Sequence, residues 1–175
     1  MKIISGLYKN RPLLSPNDKN THPMGSREKL ALFNMLTPYL KDANIFDAFA
    51  GSGALGLESL SRGGKTVVFV EKSPKVAGII KNNCKNLNLP QETYKIAIKD
   101  INKIDFPSNF FDIIIADPPY DNFKIEEISA LVKFLKPGGI LALSSPKEVS
   151  APVPKTSVLS SHIYAAARIS LFKKL

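Results

Sequence analysis

Four acidic residues, Asp47, Glu71, Asp100 and Asp117, each close a run of strand-forming residues. The last opens the tetrapeptide Asp117-Pro118-Pro119-Tyr120. Two consecutive prolines fix φ and leave carbonyls without competing local N–H groups. The Asp117 carboxylate and the Pro118 carbonyl can then accept together from one exocyclic NH₂. An aromatic amine is a poor nucleophile because its lone pair is delocalised into the ring. Two acceptors hold such an amine so that the lone pair turns toward a methyl donor, in line with the sulfur–carbon bond that breaks. Tyr120 offers a face on which a base can stack, worth about 1–3 kcal/mol. Proximity and alignment then carry most of the rate, and neither a metal nor a covalent intermediate is required.

The donor has its own signature. Gly51, Ser52, Gly53 and Gly56 spell G-x-G-x-x-G after the strand-like residues Ile45 to Ala50. That spacing lets backbone approach a nucleotide-type ligand at a helix N-terminus. Glu71 follows Gly51 by 20 residues, where a carboxylate accepts from ribose hydroxyls. A nicotinamide cofactor and S-adenosylmethionine both satisfy this much. Asp47, four residues before Gly51, separates them. It would repel a pyrophosphate, whereas it would hold the ammonium group of the sulfonium ligand, directly or through water. Asp117–Tyr120 also has no role in hydride transfer.

The elements that must position these groups follow from periodicity. A helix is expected over 26–40, with Ser26 as its cap and Leu30, Phe33 and Leu36 facing the core. Arg27 sits at its start, against the helix dipole, which suggests a task such as binding a carboxylate or phosphate. Residues 54–62 read as a helix ended by Gly63-Gly64, 66–70 as a buried strand ended by Glu71, and 74–86 as a helix opened by Pro74. Strands over 93–98 and 111–116 end near Asp100 and at Asp117. A helix over 123–135 leads through Pro137-Gly138-Gly139 to a strand over 140–143, then a polar loop over 144–156. Two β-like pieces follow, around Val158 and over 163–172. Helices alternating with buried strands make an α/β protein with a parallel sheet covered on both faces. Ligands of such sheets bind outside the carboxyl ends of the strands. A core has no use for four carboxylates at successive strand ends, and a random surface would not align them.

Composition sets the partners. The chain has 175 residues, 44% of them hydrophobic, and a net charge of +9. Residues 1–30 hold six Lys/Arg against two acids, and 133–175 hold seven against one, so the two ends carry the excess around a near-neutral body. This favours a phosphate-rich partner. Residues 1–24 read as a basic β arm ahead of a catalytic domain over 25–175. In the arm, Tyr8 with Lys2, Lys9 and Arg11 suits a backbone-and-stacking contact to RNA. A single cysteine, Cys84, and the lack of an apolar leader or spanning run predict a cytoplasmic protein. His22 reads as a surface turn residue rather than a base.

Asp47 to Gly56, Val68-Phe-Val-Glu-Lys72 and Asp117-Pro-Pro-Tyr120 resemble the motifs of class I methyltransferases that act on exocyclic amines. Arg27-Glu-Lys-Leu-Ala-Leu-Phe-Asn34, Ile3-Ile-Ser-Gly-Leu-Tyr-Lys9 and Ala167-Arg-Ile-Ser-Leu-Phe172 narrow the likeness. Together they resemble the small bacterial family that methylates guanine N2 in 16S rRNA, over nearly the whole chain. The resemblance implies a Rossmann-like fold with a seven-stranded, mostly parallel sheet, helices on both faces and an antiparallel last strand. It implies S-adenosylmethionine held by Asp47, Gly51, Ser52, Gly53, Glu71, Lys72, Asp100 and Ile101, with Asp100 near the adenine amine. It implies a guanine held by Asp117, Pro118 and Tyr120, and a monomer acting on 16S rRNA in an assembling or assembled 30S particle. Lys2, Tyr8, Lys9, Arg11 and Arg27 are the RNA contacts expected. The chain departs from the family pattern at His22-Pro23-Met24, often Arg-Pro-Thr there, at Asn10, where glycine is usual, and in having fewer arginines near 26–29. A DNA adenine-N6 methyltransferase would use the same tetrapeptide, but 175 residues leave little room for a target-recognition domain. A nicotinamide-dependent oxidoreductase leaves Asp47 and Asp117–Tyr120 idle, and an inactive RNA-binding module leaves Glu71 and Asp117 unexplained.

Overall fold

The apolar runs ending at Asp47, Glu71 and Asp117 become neighbouring strands of one sheet in a computed structural model of the chain. The structure describes residues 1–16, 24–150, 152–165 and 167–175. His22 and Pro23 lie outside them. The strands are β1 (Asn44–Asp47), β2 (Thr66–Glu71), β3 (Tyr94–Ile98), β4 (Phe111–Ala116), β5 (Leu135–Pro146), β6 (Thr156–Tyr164) and β7 (Ala167–Lys174). Their order across the sheet is β3-β2-β1-β4-β5-β7-β6. The five strands β1 to β5 run parallel, and β7 is antiparallel to both its neighbours. The chain therefore winds outward from β1 through β2 and β3, then returns on the other side of β1 with β4. Strand order reverses between β1 and β4, the place where an open α/β sheet takes its ligand.

Strand residues alternate between two apolar layers. Ile45, Phe69, Ile113 and Ile115 face the helices α1 (Ser26–Leu40), α2 (Ala54–Ser61) and α3 (Pro74–Asn86) through Leu36, Leu57, Leu60 and Ile80. Phe46, Val70, Ile114 and Leu141 face Ile128 and Leu131 of the short helix α4 (Ile125–Leu131) and Phe134 of the 3₁₀ turn that follows it. So short a helix leaves part of this second face to rings. Phe46, Phe106, Phe111 and Phe134 close it, mostly edge to face, with centroids 5.2 to 6.4 Å apart.

The three glycines of the turn have different physical reasons. Gly51 and Gly53 take left-handed φ values of 52° and 80°, which L side chains rarely adopt. Gly56 is helical, but a Cβ there would lie 2.3 Å from Phe69 Cε1. Its absence lets α2 lie against β2.

The arm is tied to the body. It doubles back through an antiparallel bridge, Lys2 to Pro12, with Ile3 N–H donating to the Arg11 carbonyl at 3.1 Å, Asn10 N–H to the Ile3 carbonyl at 2.9 Å and Leu13 N–H to the Met1 carbonyl at 2.9 Å. Its Ile4 and Ser5 N–H groups donate to the Glu58 carboxylate at 2.8 and 3.0 Å. Glu58, on α2, is 0% exposed. It also pairs with Arg62 at 2.8 Å and Lys29 at 3.6 Å, and Lys29 donates to the Lys2 carbonyl at 3.0 Å. Burial pulls the Lys29 ammonium below its ordinary pKa.

Five local expectations change. The helix expected over 123–135 shortens to α4, Ile125–Leu131, with a 3₁₀ turn over Val132–Phe134 before β5 begins at Leu135. The helix α1 is capped by Gly25, with no side-chain cap from Ser26. Leu30 is 43% exposed, and the buried face is Lys29, Leu32, Phe33, Leu36 and Leu40. The acid on α2 turns Lys29 inward and rotates Leu30 out. The strand β5 is longer than 140–143, because Pro137–Gly139 forms an irregularity inside it rather than a turn before it. Pairing with β4 passes from Leu135 opposite Phe111 to Ile140 opposite Ile113. Ile163 belongs to β6, and the reversal into β7 uses Ala165 at φ 50°.

Candidate active site

Asp47 ends β1 facing into the switch point, at 1% exposure. Its Oδ2 accepts from the Gly56 N–H at 2.9 Å, in the first turn of α2. The carboxylate therefore shapes the glycine turn as well as lining it. Burial pushes its pKa up to about 7, against the Gly56 hydrogen bond, and the charges of Asp117 and Glu71 push it further the same way. Glu71, at the end of β2, grips the same turn from the other side. Its Oε2 accepts from Gly51 N–H at 3.0 Å and its Oε1 from Ser73 N–H at 2.8 Å. Ser73 caps α3, with Pro74 next in line. One carboxylate thus locks the turn before α2 to the start of α3. A Cβ built at Gly51 meets nothing within 4 Å, so this side of the turn opens on free space.

Register carries Asp117 to the same place. Asp47 pairs with Ile115 on β4, two residues before Asp117. Burial pushes the Asp117 carboxyl up to about 6, with the Ser144 hydroxyl holding it down. Pro118 is buried, and Tyr120 begins a short 3₁₀ turn, Tyr120–Asn122. The Tyr120 hydroxyl lies 2.6 Å from Ser144 Oγ on β5. Burial raises the Tyr120 pKa, opposed by Ser144 and assisted by Asp117 and Glu28.

One strand further out, Asp100 follows β3 and caps the 3₁₀ turn Ile101–Lys103 through a bond from Asn102 N–H at 2.9 Å. That bond, with Lys103 and Lys72 nearby, holds its carboxyl below the usual range. Lys72 is exposed and Ile101 half-buried. Ser52 is buried, and its carbonyl accepts from Asn83 Nδ2 at 3.0 Å. Asn83 also exchanges bonds with the Leu14 backbone, at 2.7 and 3.0 Å, and so fastens the arm to the glycine turn.

The basic residues divide. Lys2 and Lys9 are exposed, and so is Arg27 at the start of α1. Tyr8 is half-buried against the core, with its N–H on Ser61 Oγ at 3.0 Å. Arg11 donates to the Asn86 carbonyl at 2.6 Å, at the end of α3. It thereby satisfies a carbonyl that the helix leaves unpaired. The tip of the arm packs at the far end of α2, about 10 Å from the glycine turn along an eight-residue helix.

Sequence reasoning missed Ser144, Asn83 and Glu58. Glu58 and Asn83 carried one readable signal: each is a polar residue at a core-facing position of an apolar helix. Ser144 fell in a stretch read as loop, since β5 was expected to stop at 143.

Can this site hold S-adenosylmethionine? Its chemistry answers. Three carboxylates, Asp47, Glu71 and Asp117, meet around a backbone turn with open space beside Gly51, and each acid raises the need for a positive ligand. A pyrophosphate would add charge of the wrong sign. A ligand carrying a sulfonium and an ammonium group fits.

The family described as conserved hypothetical protein 95 matches residues 1–173. Ribosomal RNA small subunit methyltransferase D of Haemophilus influenzae is 35% identical over 167 residues, 91% of this chain and 86% of that protein. The putative rRNA methyltransferase YlbH of Bacillus subtilis is 30% identical over 182 residues, 99% of each chain. Among solved structures, a putative methyltransferase from Escherichia coli superposes with a TM-score of 0.87 at 27% identity, covering 99% of this chain and 97% of that one.

Proposed function

The chain belongs to the family of ribosomal RNA small subunit methyltransferase D, and from that premise we propose that it moves a methyl group from S-adenosylmethionine to the exocyclic N2 of a guanine in 16S rRNA. The observation that supports this most is the meeting of Asp117-Pro118 with Asp47 and the glycine turn across β1 and β4. An amine acceptor site and a cation-seeking donor site share one crevice.

Each residue then has a task. Asp47 faces the ammonium end of the donor, and the Gly51–Gly53 backbone, Ser52 and Glu71 take its middle, with the ribose hydroxyls on Glu71. Lys72, Asp100 and Ile101 border the adenine. S-adenosylmethionine supplies an electrophilic methyl carbon on a positively charged sulfur. Asp117 and the Pro118 carbonyl accept the two amine hydrogens and aim the nitrogen, while Tyr120 stacks on the base. As the nitrogen–carbon bond forms and the carbon–sulfur bond breaks, the amine sheds one proton. Asp117, near pH 6, can take that proton and return it to water at neutral pH. Residues 1–24 act as an RNA-contact arm through Lys2, Tyr8 and Lys9, joined by Arg11 and Arg27, and residues 25–175 as the transferase, in a monomer on a 30S particle or its precursor.

The test is transfer of labelled methyl groups to 16S rRNA, free and in 30S particles, followed by mass identification of the modified nucleoside. N2-methylguanosine is the expected product. N6-methyladenine in duplex DNA, with no mark on RNA, would overturn the reading. Asp117→Ala is expected to abolish transfer while S-adenosylmethionine affinity stays within a few-fold. Lost affinity with retained turnover would reverse the role given to it.

A further inference from the structure

Ser144 occupies a strand that is otherwise apolar around it. Ile140 to Leu143 precede it on β5, and Ser144 itself is 2% exposed. Parallel pairing with β4 ends with Leu143 opposite Ala116. Ser144 is the next residue along, level with Asp117. On its other side it pairs with Ile169 of β7, at the antiparallel join. Packing alone would be served by alanine or valine there. A buried hydroxyl costs free energy unless it finds partners.

It has one at hydrogen-bond distance, the Tyr120 hydroxyl 2.6 Å away, and it stands level with Asp117, whose ionised form its hydroxyl favours. The direction of this chain follows from the inventory of donors. An ionised carboxylate only accepts, and a hydroxyl gives one proton while accepting through its lone pairs. So with Tyr120 donating to Ser144, the one Ser144 proton is left free to turn toward Asp117. The relay ends on the carboxylate and leaves its remaining acceptor sites for an amine. A protonated Asp117 would break this order, because it would present a donor to the amine hydrogens.

We propose that Ser144 is the positioning residue of the methyl-transfer site, setting the Tyr120 ring and keeping Asp117 an acceptor. The proposal rests on the amine-methylation reading above. Among the described residues, the charges that act on Asp47 and Tyr120 at this corner are acidic. Asp47 comes from β1, Glu71 from β2 and Glu28 from α1. Each of them favours protonation of a neighbouring carboxyl or phenol. The Ser144 hydroxyl opposes that trend on Asp117.

The test uses the full chain with Ser144→Ala and Ser144→Thr. Carboxyl-carbon NMR titration, assigned with Asp117→Asn, reads Asp117 without any substrate. Ser144→Ala is expected to raise its midpoint by about one pH unit, and Ser144→Thr to leave it near wild type. In single-turnover transfer, Ser144→Ala is expected to slow the rate about two-fold at pH 7 and about nine-fold at pH 5, moving the acid limb up by the same shift. S-adenosylmethionine affinity stays within two-fold by calorimetry, because the glycine turn is untouched. Tyr120→Phe should move the midpoint the same way by less. An unchanged Asp117 midpoint in Ser144→Ala overturns the proposal, whether or not the enzyme turns over. A wild-type protein that methylates no amine, with the NMR shift as expected, fails the parent reading instead and leaves the relay standing.

Discussion

Gly56→Ala sets two effects of opposite sign against each other, and the structure decides between them. In a helix, alanine is favoured over glycine by about 1 kcal/mol. At Gly56 the added Cβ would lie 2.3 Å from Phe69 Cε1, 2.8 Å from Val67 Cγ2 and 3.0 Å from Phe69 Cζ. The Phe69 ring is fully buried. A Cβ at Gly53 would find the same ring at 3.3 Å and Ile80 at 3.1 Å, so the ring is held on that side too. It has nowhere to swing, and α2 must lift from β2. Overpacking of this kind costs about 1–3 kcal/mol, and a displacement of a whole helix falls at the upper end. The net expectation is a loss of about 2 kcal/mol. For a domain of this size that is a fall in Tm of roughly 4–8 °C. Lifting α2 also drags the glycine turn, so S-adenosylmethionine should bind more weakly. Gly78→Ala in α3 is the control: nothing lies within 4 Å of its Cβ. It should raise stability by about 0.5–1 kcal/mol. Thermal unfolding by circular dichroism and calorimetric titration with the cofactor read both. Adding Phe69→Leu to Gly56→Ala should recover part of the loss. A Gly56→Ala protein as stable as wild type, with unchanged affinity, would refute the packing argument.

Other outcomes are expected from the same structure. Lys9→Gln should weaken RNA binding and flatten its salt dependence, whereas Arg11→Gln should also lower stability, since Arg11 closes the end of α3. An unchanged salt slope for Lys9→Gln would remove the arm from the RNA site. Glu58→Gln leaves the cations of Lys29 and Arg62 without their buried partner, at a cost of about 3–5 kcal/mol. It should also open residues 1–16 to protease, and unaltered cleavage would count against the anchor. Burial raises the Asp47 and Asp117 carboxyls from an ordinary 3.8 to about 7 and about 6. Their native states therefore bind protons more tightly than the unfolded chain, and their contribution to stability is present below about pH 4 and lost as pH rises through 6 to 7. Urea unfolding against pH should show Asp47→Asn flattening the decline between pH 5 and 7, and an identical slope would contradict the burial of that carboxyl.

The parallel sheet was legible because its strands are buried on both faces, so that apolar and β-branched residues fill 45–50, 66–70 and 111–116 apart from Asp47 and Asp112. The acids at their ends were legible for the complementary reason: each interrupts such a run abruptly. The placement of Asp47, Glu71 and Asp117 around one turn follows from those two facts plus the strand order. What periodicity could not supply was pairing between distant segments. Lys29 reads as a solvated cation until Glu58, 29 residues on, is known to face it. Ser144 reads as loop because the alternation of β5 ends in two serines before Pro146. The reversal at Ala165 carries neither glycine nor asparagine, so the split between β6 and β7 had no local mark. Arg11, expected as an RNA contact, had no signal that its guanidinium would meet the end of α3.

The anchoring of the arm on Glu58 also sets a timetable. Ile4 and its carboxylate partner are 54 residues apart. A ribosome adding about 5–20 residues per second needs about 3–11 s to make that interval. Throughout it the first segment of this basic protein emerges with its N–H groups unmatched, beside the very class of molecule it is proposed to bind. The completion of α2 ends that period. Docking of the arm is thereby a late event in the birth of the domain, although the arm is made first.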